Sequence, residues 1–135
     1  MKSNRDAALE LLEKAENDII AAKATLATGK ALDAVCFHAQ QAAEKSLKAL
    51  LAFHGIEYPL RHDLDELLVL AQPFDVIVEP LTTKVSALTA YAVITRYTRF
   101  NPNVEKATQE LAVAIEATLR VQNYIALNPE SDSEE

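Results

Sequence analysis

Apolar residues recur at steps of three and four over most of the chain, the pattern of amphipathic helices. The first predicted helix runs from about Asn4 to Thr28, with Leu9, Leu12, Ala15, Ile19, Ala22 and Leu26 on one face. Ser3 with Asp6 three residues on forms a capping pair, and Gly29 sits where helices commonly end. The second predicted helix runs from about Ala31 to His54 and closes at Gly55. Cys36, Ala39, Ala43, Leu47, Leu50 and Leu51 mark its core face. Gln41, Glu44, Lys45 and Lys48, also three and four apart, form a second, polar row along the same helix.

A loop over residues 56–61 follows, with Pro59 holding Tyr58 extended. The third helix is short, from about Asp63 to Ala71, with Leu64, Leu67, Leu68 and Ala71 on its apolar side; Pro73 stops it. Residues 74–78 have strand-like composition but no second strand to pair with, so they read as a loop. Glu79 and Pro80 open a fourth helix that ends near Arg99, with Val85, Leu88, Ala92 and Thr95 on its face. Asn101 as N-cap and Pro102 in the first turn open a fifth, which runs to about Leu127 and stops at Asn128 and Pro129. Val104, Ala107, Leu111, Ala114, Ile115, Thr118, Val121, Gln122 and Ile125 lie on its inner side.

The connection between the first two helices is short, so they pack antiparallel. The expectation is an all-α fold, an antiparallel up-and-down bundle of four to five helices. It forms one domain over residues 1–129, followed by an acidic, solvated tail over 130–135.

Composition narrows the chemistry. Half of the 135 residues are hydrophobic, which suits a packed core. Two glycines are too few for a Gly-rich phosphate loop or a dinucleotide fingerprint. A net charge of -7 argues against broad, non-specific binding of nucleic acid. The single cysteine, Cys36, excludes an internal disulfide and a multi-cysteine metal site, and its apolar neighbours make it a small buried hydrophobe. Charges throughout the first twenty residues fit no secretory signal, and no apolar run approaches the ~20 residues of a membrane span. The expected location is the cytoplasm, away from any membrane.

Three places carry candidate chemistry. The polar row of the second helix is either a solvated face, with Gln41 paired to Lys45 and Glu44 to Lys48, or a part-buried seam at an interface. His62, in Arg61-His62-Asp63, precedes a helix, where its ring can cap a backbone amide or meet a neighbouring carboxylate. Arg96, Tyr97 and Arg99 cluster with other aromatics near a helix end. There they either satisfy carbonyls and the helix dipole or hold phosphate and stack on a base. His38 and His54 lie sixteen residues apart on one helix, roughly 24 Å, and cannot share a metal. No nucleophile elbow or pair of acids stands out, and no catalytic, metal or cofactor site is assigned.

The run from Cys36 to Ala49, then Arg61-His62-Asp63-Leu64, then Tyr91 with Thr95-Arg96-Tyr97, resembles the HEPN family in order and spacing over about residues 5–127. The resemblance implies a four- or five-helix bundle that usually dimerises. It also implies frequent pairing with a minimal nucleotidyltransferase, often as a toxin–antitoxin couple. Active HEPN ribonucleases carry an Arg-x(4–6)-His motif near the start of the last long helix, where Arg steadies phosphate and His moves a proton. Arg96 matches the first half, but Asn101 stands in place of the histidine, no histidine follows His62, and Thr98 stands where relatives often have proline. Asn is no general base near neutral pH, so the ribonuclease motif is degenerate. The expected function is a homodimeric, non-catalytic binding module that docks a nucleotidyltransferase, with Gln41, Glu44, Lys45, Lys48, His62, Arg96 and Tyr97 as binding or interface residues. The alternatives are a ribonuclease with a non-standard site built on Arg96, and a nucleotide-binding module using Arg96, Lys48 and Tyr97.

Overall fold

The computed structural model describes residues 2–60, 63–74 and 102–128. Every regular element among them is helical: α1 Asn4–Thr28, α2 Leu32–Phe53, α3 Leu64–Leu70, a 3-10 turn Gln72–Phe74, and α4 Val104–Leu127, the fifth predicted helix. The chain is an all-α bundle.

Local chemistry sets the ends. Ser3 accepts from the amide of Asp6 while the Asp6 carboxylate accepts from that of Ser3, a reciprocal cap that satisfies two amides of the first turn. Gly29 ends α1 at φ 70°, a left-handed conformation that costs glycine little. Ala31 then starts α2 at φ 53° without a side-chain cap. Asp63 caps α3 by accepting from the amides of Asp65 and Glu66. The cap of α4 is Asn103, which accepts from the amide of Lys106 at 2.7 Å, rather than Asn101 as expected. Asparagines flank Pro102 on both sides, and the second one is used.

Helix α1 runs antiparallel to α2. Ala8 and Leu12 pack near Leu47 and Leu50, Ala15 against Ala39 and Ala42, and Ala22 against Val35 and Cys36. Helix α4 runs parallel to α2, with Ala107 and Leu111 beside Val35 and Cys36, Ala114 beside Ala42, and Val121 and Ile125 at the far end. The middle of the bundle is built from alanine, so the helices approach closely there. Ala8, Ala15 and Ala22, all fully buried, line α1 at intervals of seven. The far end holds the larger side chains, where Phe53, Leu64, Leu67 and Leu68 close the core under α3. Each such residue contributes about 1.5–3 kcal/mol when fully buried.

Two residues expected on inner faces lie at the edge instead: Leu9 is 43% exposed, and Val104 is also exposed. Ala8 takes the core position on α1, and Ala117 and Glu110 are buried on α4. Cys36 is buried as expected. The predicted fourth helix lies outside the described residues, and no described helix is long and apolar enough to cross a membrane.

Candidate functional site on the second helix

Helix α2 is wrapped by α1, α3 and α4 and carries buried residues on almost every side. A polar side chain on such a helix must find partners or lose hydrogen bonds on folding. Those of α2 find them in three groups.

The first is a chain of donation along one flank. Gln41 donates from Nε2 to Oε1 of Gln40 at 2.8 Å, Gln40 donates to Oε1 of Glu44 at 3.3 Å, and Lys48 donates to Oε2 of Glu44 at 2.9 Å. Steps of four residues stack 40, 44 and 48 on one side of the helix. Glu44 is only 1% exposed and Lys48 only 12%, so the pair lies largely out of water. Charge-assisted bonds of this kind are about twice as strong as neutral ones. The Lys48 ammonium also lies 5.6 Å from the centre of the Tyr58 ring, on the loop after α2. Both Glu44 oxygens are engaged, which makes this carboxylate a fixed anchor rather than a free base.

The second group ties α2 to α1. Asp18 faces His38 Nδ1 at 2.8 Å through one oxygen and Lys45 Nζ at 2.5 Å through the other. The expected polar row is therefore divided. Glu44 pairs with Lys48 as anticipated, but Gln41 turns to Gln40 and Lys45 reaches across to Asp18, so the Gln41–Lys45 pair is not made. With the carboxylate accepting, His38 donates to Asp18 through Nδ1.

The third group ties α2 to α4. The hydroxyls of Ser46 and Thr118 meet at 2.7 Å, and each lies 2.9 Å from the carbonyl four residues before it, those of Ala42 and Ala114. Two hydroxyl protons serve three contacts, so the pair shares its protons among the partner hydroxyl and the two carbonyls, which also accept from the helical backbone. Farther along, the His54 ring stacks on Phe74 at 3.9 Å and its Nε2 lies 2.9 Å from the Tyr124 hydroxyl. Burial holds the His54 pKa below its usual value by disfavouring the charged ring.

The structure thus joins Gln41, Glu44 and Lys48 and sets Lys45 apart. His62, Arg96 and Tyr97 lie outside the described residues. Sequence reasoning passed over Gln40, whose place four before Glu44 was visible, and Asp18, whose role depends on α1 meeting α2. It also passed over Glu110, buried on α4 and held by Lys106 at 2.8 Å. Among the described residues, no cluster of three or more His, Cys, Asp or Glu side chains is placed to hold a metal ion.

The protein is a helical bundle whose second helix carries a buried amide–carboxylate–ammonium row. The family model of the HEPN domain matches residues 8–126, nearly the whole chain, and the chain belongs to that family. No curated protein and no solved structure matches it.

Proposed function

We propose that this chain is a non-catalytic HEPN binding module of the cytoplasm, a single domain that forms a homodimer and works with a minimal nucleotidyltransferase in a toxin–antitoxin couple. The observation that carries this reading is the Glu44–Lys48 pair with Gln40 and Gln41, an ordered polar row on a helix otherwise given over to packing. Such a row fixes the orientation of the part-buried Gln41 at the margin of the helix, where a second surface can meet it. The degenerate motif supports a binding role, because Asn101 replaces the histidine that would move a proton. Arg96 keeps its affinity for phosphate or carboxylate without that partner.

Light scattering of the purified chain at micromolar concentration gives the first test, and a dimer is expected. The second is co-purification with a minimal nucleotidyltransferase from cells that make both at native levels. Glu44→Gln with Lys48→Met removes the charges while keeping side chains of similar size, and is expected to weaken that association. A monomer at micromolar concentration, together with partner binding indifferent to the double substitution, would refute the proposal. Cleavage of RNA by the purified chain, lost in Arg96→Ala, would assign a ribonuclease instead.

A further inference from the structure

We propose that the groove between α1 and α4 is a docking site for a basic amphipathic helix of a partner protein. The groove has a volume of about 210 Å³; its apolar floor includes Leu12 and Ile125, and Arg5 closes one end, its guanidinium donating to the Ile125 carbonyl at 3.0 Å. Four α1 residues, Leu9, Glu13, Glu16 and Ile20, step by four, three and four and so share one flank of the helix. Leu9 is 43% exposed and Ile20 64%. Glu13 lines the groove with no partner among the described residues. Glu16 gives one oxygen to Gln122 across it. On α4, Leu119 lies three residues from Gln122 and is 51% exposed. The result is a strip roughly 16 Å long, apolar at both ends and acidic in the middle.

The order of residues on that strip selects the occupant. Read in either direction along α1 it is apolar, acidic, acidic, apolar, with Glu13 and Glu16 centred between Leu9 and Ile20. A second copy docking here across a two-fold axis would match Leu9 with Ile20. It would also bring Glu13 of each copy against Glu16 of the other, and closing four carboxylates together is unfavourable. Nucleic acid is repelled by the same charges. A helix with two basic residues between two apolar ones satisfies both parts of the strip, in the helix-in-groove mode of recognition. The surface is separate from the Glu44 row. Ala42 and Ser46, two residues either side of Glu44 and nearly half a turn round α2, are the positions that pack toward α1 and α4. The inference therefore stands or falls independently of the proposed function.

The probe is a synthetic helical peptide with leucines eleven residues apart and lysines at the two intervening positions, together with a control carrying glutamates there. Fluorescence anisotropy with the full chain is expected to give a Kd for the lysine peptide between about 1 μM and 1 mM, at least tenfold tighter than for the control. Glu13→Lys with Glu16→Lys, both on exposed positions, is expected to reverse the preference. Leu9→Ala is expected to weaken binding severalfold while leaving the helical circular dichroism unchanged. Equal binding of the two peptides, no binding of the lysine peptide by the native chain, or a preference that the charge reversal leaves in place would each overturn the proposal. So would self-association of the native chain that Leu9→Ala abolishes, because a second copy would then be the occupant.

Discussion

Replacing Lys48 with methionine tests whether the polar row of α2 is a buried structural unit. The substitution keeps most of the aliphatic stem and removes the ammonium from Glu44, which is 1% exposed and cannot turn to water. Losing one partner of a buried ion pair costs about 3–5 kcal/mol. Gln40 continues to donate to Glu44, and Lys48 already keeps a little of its side chain in water, so the expected loss is ~2–3 kcal/mol. In urea, with an m-value of about 1–3 kcal/mol per molar, the midpoint should fall by roughly 1–2 M. Glu44→Leu should cost less than Lys48→Met, because a lysine at 12% exposure can reach solvent whereas the glutamate is trapped. The double variant Glu44→Leu/Lys48→Met should return to within ~1 kcal/mol of the parent, since apolar groups of similar volume replace buried pairs at little cost. Unfolding curves repeated at a tenfold dilution separate this effect from any linked change in self-association. A loss below about 0.5 kcal/mol for Lys48→Met, the behaviour of a surface pair, would refute the reasoning.

Other expectations follow from single contacts. His54 has its pKa lowered by burial. Its contribution to stability is full above the unfolded value near 6.5 and is lost as pH falls through the lower folded value, a slope that His54→Asn should flatten in unfolding curves between pH 7 and pH 5. Ala31 is held at φ 53°, and Ala31→Gly should raise the thermal midpoint through a gain of about 0.5–1 kcal/mol. Ser46→Ala should cost on the order of 1 kcal/mol, and adding Thr118→Val should cost less than the sum of the two single changes, because the hydroxyls share their protons. A double-mutant cycle by urea unfolding measures that coupling.

Much of the fold could be read from local signals. The ends of α1 were legible because Ser3, Asp6 and Gly29 act within one turn of the backbone they satisfy. The start of α4 was displaced by two residues because both asparagines around Pro102 carry the same local signal. The candidate site was half legible. Glu44 and Lys48 share a helix, and their spacing alone brings them together. Lys45 chose Asp18, twenty-seven residues earlier on a different helix, and nothing in the spacing of α2 reveals that carboxylate. Glu110 was missed because a glutamate in a polar run, after Thr108 and Gln109, reads as solvent-facing until its neighbours are in place. Leu9 was read as core on periodicity, yet it lies where the arc of the helix meets the groove.

The alanines at positions 8, 15 and 22 have a consequence for alignment. Identical small side chains at equal intervals do not say which of them belongs opposite which part of α2. A slide of α1 by one interval, about 10.5 Å, would set an alanine where an alanine stood before. The polar links break this degeneracy: Asp18 to His38 and Lys45, Arg5 to the carbonyl of Ile125, and Glu16 to Gln122 each work at one alignment only. In this bundle the oily contacts hold α1 against its neighbours, and a few exposed or half-buried polar residues tell it where along them to stop.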